Sequence, residues 1–582
     1  MLTHRFAHRS ARAAGIVLAL LLILTTPALA AFTPGNGQAA TLVLGQPNFT
    51  SHAVHTTQNG MNLPYAVAVD PATHKVFVAE YNNNRVLRFT SVYALKNGAA
   101  AEAVLGQPNF TSNTSHATQN GMSGPLGLFV DAGGRLWVAD YNNNRTLRFD
   151  HAATLSSGAN ANGVLGQANF ISNTTAINQH SMSAPCGVFV DAGGRLWVTD
   201  YNNNRVLRFD NAASKANGAN ADGVLGQTSF TSNGTATSQN GLHGPFYLAV
   251  DASGRLWVTD AVNNRVLRFD NAASKANGAN ADGVLGQPDF TNLTPNLAQN
   301  GLAHPSGITV DNATGRLYVG DYNSNRVLVF NGAAGLANGA NASSVLGQND
   351  FTSSSSGTSA ITLNGPIGAF FDPVSKVLLA VDSNNNRVLM YGSPFTSFSV
   401  ISTAANDGWV LASSTANNAG GSKSATGTFR LGDDASNRQY RSILSFNTSA
   451  LPDNAVIHSV TLKILKAGAL GTDPLTSNSL GSLLADIKKG SFGASALEVG
   501  DFQATASASA VGHFSSISAG WYQVVLPASD FTYVNLSGLT QFRLRFSTAS
   551  NNNHVADYDS FYAGDATTAA NRPALIVQYY LP

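Results

Sequence analysis

Two histidines, His243 and His304, stand just before Pro245 and Pro305 in neighbouring copies of a repeated unit. If those prolines open strands at the mouth of a closed ring, the two imidazoles offer nitrogen ligands to a metal. A zinc centre draws three or four ligands at close range, and only two are in evidence, so solvated loop histidines are the competing reading. Further along, Asp433-Asp434 and Asp557-Tyr558-Asp559 supply carboxylate oxygens of the kind a structural calcium takes, completed by carbonyls and waters. Solvated loop carboxylates are the alternative there. Arg438, Tyr440, Trp521, Tyr522, Asn551 and His554 combine aromatic faces with planar hydrogen-bonding groups, which suits a sugar ring and its hydroxyls. For Trp521, as for Trp409, adjacent apolar strand residues make burial in a core the stronger expectation. No Gly-x-Ser-x-Gly, His-Glu-x-x-His or Gly-x-x-x-x-Gly-Lys segment occurs, so no catalytic residue is expected from a motif.

The elements that carry the histidines are a repeat. A polar turn ending in arginine, Tyr81-Asn82-Asn83-Asn84-Arg85, returns at Arg145, Arg205, Arg265, Arg326 and Arg387, 60 or 61 residues apart. A second marker, Val-Leu-Gly-Gln, ends at Gln46, Gln107, Gln167, Gln227, Gln287 and Gln348. Within a unit, short β-branched and aromatic runs alternate with Gly, Asn and Asp turns, which predicts four short antiparallel strands. Six such units describe a β-propeller rather than a helical or leucine-rich solenoid. The acid five residues before each arginine (Glu80, Asp140, Asp200, Asp260, Asp321, Asp382) is expected to pair with it across a hairpin, since six equal copies do not divide catalytic roles. Trp137, Trp197 and Trp257 fall mid-strand and are expected between blades. Cys186, the single cysteine, falls on an inner strand and reads as a small buried hydrophobe. The first Val-Leu-Gly-Gln precedes any complete unit and none follows Arg387. Leu42–Gly45 is therefore expected to pair with the strand around Val388–Tyr391 and close the ring, leaving fewer free edges.

The segment Gly194 to Phe209, with its short apolar strand, Asp, Asn-Asn-Arg and return strand, resembles the NHL repeat, and the resemblance spans residues ~40–392 in six copies. It implies a six-bladed propeller. NHL-like lyases use channel histidines with a metal, so the resemblance also keeps open a metal-dependent lyase or lactonase acting in the channel at His243 and His304.

Residues 1–30 read as a secretory signal peptide: Arg5, Arg9 and Arg12, an apolar run over Ile16–Leu24, then Ala28-Leu29-Ala30. The chain is expected to be secreted, with no membrane span once the signal is removed. Charged residues make up 11% and the net charge is +1, against about 25% charged in ordinary soluble proteins. With no basic run beyond residue 30, nucleic acid is not an expected partner.

The period stops at Tyr391. Residues 31–392 form the propeller, 393–399 a linker and 400–582 a second domain. There Val460, Leu462 and Ile464, like Phe542, Leu544 and Phe546, alternate at the strand period, predicting a β-sandwich of jelly-roll type. The runs Arg441–Pro452, Ala455–Ile464 and Asn571–Tyr579 resemble the DNRLRE domain, related to carbohydrate-binding module family 96. The whole chain reads as all-β: an exported, non-enzymatic binding or adhesion protein. A polysaccharide or cell-surface glycan is the expected ligand, a protein on a propeller face the other partner, and a structural calcium in the second domain the candidate cofactor.

Overall fold

The computed structural model describes residues 32–425 and 427–582; the expected signal peptide lies outside them. Two compact units follow one another, the first ending at Phe395 and the second spanning Thr396–Pro582.

In the first unit, six four-stranded antiparallel sheets are arranged as blades. The third blade shows why the repeat folds this way. Its strands are Pro185–Val190, Leu196–Asp200, Arg205–Phe209 and Gly223–Leu225. The first hairpin turns on Asp191, whose Oδ1 accepts the Gly193 and Arg195 amides (2.9 and 3.1 Å) while Oδ2 accepts Trp197 Nε1 (2.9 Å). Gly194 sits at φ +73°, left-handed backbone that glycine adopts without a Cβ penalty. The second turn passes through Asn204 at φ +50°, a conformation asparagine tolerates better than most residues. Trp137, Trp197 and Trp257 are no more than 2% exposed between blades, each burial contributing about 2–3 kcal/mol.

The arginine of each polar turn is fully buried against its acid. Arg145, Arg205, Arg265 and Arg326 hold Asp140, Asp200, Asp260 and Asp321 at 2.7–2.8 Å, and Arg85 pairs with Glu80 and Arg387 with Asp382 in the same way. The asparagine preceding the arginine fastens one blade to the next. Asn84, Asn144, Asn204, Asn264 and Asn325 accept the backbone N–H of Gly124, Ala184, Gly244, His304 and Gly365 at 2.7–2.9 Å. Asn386 does the same for Leu63 of the first blade, at 2.8 Å. The glutamine of Val-Leu-Gly-Gln donates to that asparagine's carbonyl in every copy. Both sequence markers are therefore parts of one inter-strand clasp, which explains their common period.

Innermost strands begin at Pro64, Pro125, Pro185, Pro245, Pro305 and Pro366, each beside the next and the last beside the first. Leu42–Leu44 completes the sixth blade, pairing Leu42 with Met390, Val43 with Leu389 and Leu44 with Val388. The ring is closed by the chain's own early strand, as the offset between the markers implies.

The second unit is a thirteen-stranded curled sheet. Its axis of curl is the 15-residue strand Val456–Leu470, which pairs with Ala574–Tyr580 and Trp521–Val525 along its earlier part and with Asp557–Tyr562 along its end. A register shift between Lys466 and Gly468 bends it, as an extra residue in one strand does. Val460, Leu462 and Ile464 point inward, each 0% exposed, onto a core shared with Phe429, Phe542 and Leu575. A smaller apolar cluster in the same unit gathers Val410, Ile443, Phe492 and Phe502. No helix among the described residues is long and apolar enough to cross a membrane.

Candidate functional site

Two places in the chain gather functional groups: the axis of the ring, and the outer face of the curled sheet. At the mouth where the innermost strands begin, Tyr81, Tyr141, Tyr201 and Tyr322 come from the polar turns and meet Tyr65, Phe246 and His304. Ring centroids lie 5.2–6.2 Å apart for Tyr65–Tyr81, Tyr81–Tyr141, Tyr201–Phe246, Phe246–His304 and His304–Tyr322. His304 is held between two aromatic rings, and burial lowers its pKa below the ordinary imidazole value. Its position directly precedes Pro305 at φ +59°, and its amide joins the clasp to Asn264. His243 stands one place earlier in its unit, and its amide instead donates to Asp260 Oδ1 at 2.7 Å. The two histidines are therefore not equivalent, which corrects their alignment as a pair. Among the described residues no group of three or more His, Cys, Asp or Glu side chains is placed to hold a metal ion.

Within the ring, one residue has no counterpart. Gly127, Gly187, Gly307 and Gly368 occupy an inner-strand position where a Cβ would come within 2.8 Å of a neighbouring strand's backbone, and Ala66 takes that place in the first blade. The fourth blade has Tyr247. Its hydroxyl reaches the Tyr65 carbonyl at 3.0 Å and the Leu126 carbonyl at 3.2 Å, joining the fourth blade to the first and second. The first and fourth blades are opposite in a ring of six, so the phenol crosses the axis. Burial drives its pKa well above the ordinary phenol value, which keeps it a donor. Cys186 is fully buried nearby, its thiol likewise pushed up by burial.

On the curled sheet, the six sugar-contact candidates separate. Arg438 is pinned to Asp434 through Nε (2.9 Å) and Nη2 (2.6 Å). Asn551 donates to Asp557 Oδ2 at 2.8 Å, and the exposed His554 is tied to Asn437, whose Oδ1 accepts the His554 amide at 3.1 Å. These three therefore brace one loop cluster. Tyr440 is 6% exposed and belongs to an aromatic cage around Arg430, with Trp409, Tyr440 and Tyr558 centroids 5.3, 5.8 and 4.7 Å from its guanidinium carbon. Tyr522 faces Phe561 of the core edge-on at 6.2 Å. Trp521, its neighbour on a strand whose side chains alternate, opens to the other side. It is half-buried rather than enclosed in the core as expected, because only every second residue of Trp521–Val525 can face the core.

Trp521 lines an outer groove of about 370 Å³ with Lys463, Ser518, Arg572, Ile401 and Ile517. Lys463 lies opposite Gln523 and Ala574, and Trp521 opposite Leu465, so adjacent strands place the indole and the ammonium side by side. Arg572, whose Nε donates to the Ala566 carbonyl at 2.9 Å, closes the far wall. Neither Lys463 nor Arg572 stands near Trp521 in sequence, and only the alternation of Lys463 with buried Leu462 and Ile464 signals that it faces outward.

The four calcium candidates are also divided. Asp434 answers Arg438, while Asp559 answers Lys466 at 2.6 Å. Asp557 accepts the Asn551 and Asn553 amides and the Thr472 N–H at 2.7–2.8 Å. Asp433, buried directly opposite Asp557, is pushed above the ordinary carboxylate range, chiefly by burial, although Ser550 and Asn551 favour its charged form. Neither of these neighbours makes a well-formed hydrogen bond to it.

The NHL repeat family matches residues 184–209 and 302–330. No curated protein matches the chain. Among solved structures, a streptogramin B lyase is 13% identical over 57% of this chain and 93% of its own, with a TM-score of 0.34. A virginiamycin B lyase from Staphylococcus aureus is 15% identical over 56% and 80%, at 0.33. An auxiliary nutrient binding protein from Bacteroides thetaiotaomicron is 11% identical over 60% and 76%, at 0.37. At such values no activity transfers from any of them. The family match falls on the third and fifth of the six blades, on the acid, polar turn and return strand that build the clasp there.

Proposed function

We propose that this chain is an exported, non-enzymatic binding protein in which the NHL propeller is a scaffold and the second unit holds a glycan. The observation that carries the reading is the Trp521 groove. An indole face accepts the apolar side of a sugar ring, and Lys463 and Arg572 add cationic donors suited to carboxylate, so a carboxylated sugar fits better than a neutral one. The resemblance of residues 400–582 to a carbohydrate-binding module and the signal-like residues 1–30 support the same role, which is adhesion or capture outside the cell. The rival lyase or lactonase needs a metal at His243 and His304, whereas His304 is packed between aromatic rings and the two histidines occupy different positions in their units.

The test is retention of the full-length protein on a polyuronate and on a neutral glucan. The polyuronate is expected to retain it, Trp521→Ala to weaken retention about tenfold, a loss of about 1.4 kcal/mol, and Lys463→Ala with Arg572→Ala to erase the preference for the charged polymer. If neither polymer retains the protein, or Trp521→Ala binds like the parent, the glycan reading fails.

A further inference from the structure

At the mouth opposite the aromatic collar, the axis of the ring widens into a recess of about 370 Å³. Its walls come from the ends of all six innermost strands. Phe129, Phe189 and Phe370 line it together with Ala249, Val250, Thr309 and Val310. The cause of the space is readable in the register. Phe129, Phe189, Ala249 and Thr309 all stand opposite the aromatic of the second strand (Trp137, Trp197, Trp257, Tyr318) in their own blades. Blades two and three fill that position with phenylalanine, while blades four and five leave it small. Two residues before Ala249 on the same strand, Tyr247 crosses the axis, so the recess does not continue through to the collar.

The rim is polar but spoken for. Asp131 holds Trp137 Nε1 at 2.9 Å, Asp191 holds Trp197 Nε1, and the Thr309 hydroxyl accepts the Phe371 amide at 3.1 Å. Arg135, also on the rim, is paired with Asp131 at 3.2 Å, so with its charged groups committed to one another and to their own turns the recess offers a bound molecule mainly apolar contact. An inserted peptide strand would leave backbone groups unsatisfied against these walls, and the volume lies at the small end of ligand pockets. We propose that the axial recess is a binding site for the apolar end of a small, uncharged molecule, separate from the groove at Trp521. The asymmetry made by Ala249 and Thr309 sets its shape.

The experiment titrates full-length protein with N-phenyl-1-naphthylamine, an uncharged probe that brightens in apolar surroundings. Saturable one-to-one binding is expected, weakened at least about tenfold by Ala249→Phe, which installs the residue that blades two and three already carry. Trp521→Ala is expected to bind the probe as the parent does. Phe370→Ala, which removes a wall, is expected to weaken binding several-fold and serves if Ala249→Phe does not fold. No saturable binding, binding unchanged in the folded wall variants, or binding lost in Trp521→Ala would each overturn the assignment.

Discussion

Replacing Arg205 with methionine tests whether the repeated ion pair holds the ring. Arg205 is 0% exposed, and its Nε meets Asp200 Oδ2 at 2.8 Å. Its Nη1 donates to the Phe230 carbonyl at 2.5 Å, and its Nη2 to the Asn178 and Ser181 carbonyls at 3.0 and 2.9 Å. Asp200 keeps only neutral partners once the arginine is gone: the Ser183 amide at 2.6 Å and Asn203 Nδ2 at 2.9 Å. Breaking a buried pair from one side costs about 3–5 kcal/mol, because the remaining charge stays desolvated. Adding Asp200→Asn removes that charge and leaves mainly the three unpaired carbonyls, each bond worth about 1 kcal/mol net. The double variant should therefore recover about 1–2 kcal/mol of the loss. Urea unfolding of the full-length protein, followed by tryptophan fluorescence, reads the difference. Trp197, on the strand paired with Arg205–Phe209, reports on this blade. A single-variant cost below about 1 kcal/mol, the range of exposed pairs, would refute the reasoning, as would a double variant no better than the single.

Removing residues 32–45 should leave Arg387–Tyr391 as a bare edge and convert monomer to aggregate on size exclusion, since unpaired edges recruit other strands. Asp407 is 0% exposed, accepts the Ser445 and Gly564 amides, and is raised by burial to about 7. The folded chain keeps a proton that the unfolded chain releases near pH 4, so this group's contribution is present at low pH and lost as pH rises toward 7, at up to about 1.4 kcal/mol per pH unit. Asp407→Asn should flatten that slope in unfolding midpoints measured across the range. Adding EGTA should leave the unfolding midpoint unchanged, because Arg438 and Lys466 already neutralise two of the four candidate carboxylates; a drop on chelation, reversed by calcium, would restore the calcium reading.

The repeat makes most of the ring legible in the sequence. Blade number, strand order, the acid–arginine hairpin and the closing strand all follow from two markers offset by one strand, because a clasp repeated six times must repeat its residues. Burial of the mid-strand tryptophans and of Cys186 follows from their places on the repeated strands. What the sequence could not show is where unlike residues meet. Tyr247 reads as an ordinary inner-strand aromatic until the ring sets it against Tyr65 and Leu126, 182 and 121 residues away. The space beside Ala249 exists because blades four and five carry small residues where blades two and three carry phenylalanine, a difference that matters only once the ring brings these positions to one axis. Trp521, Lys463 and Arg572 become one groove through pairing with Val456–Leu470, while Tyr522, next in the chain, is turned to the core. Period and alternation are local and survive in one dimension; convergence across an axis or between paired strands is set by closure and curl, which only the tertiary structure decides.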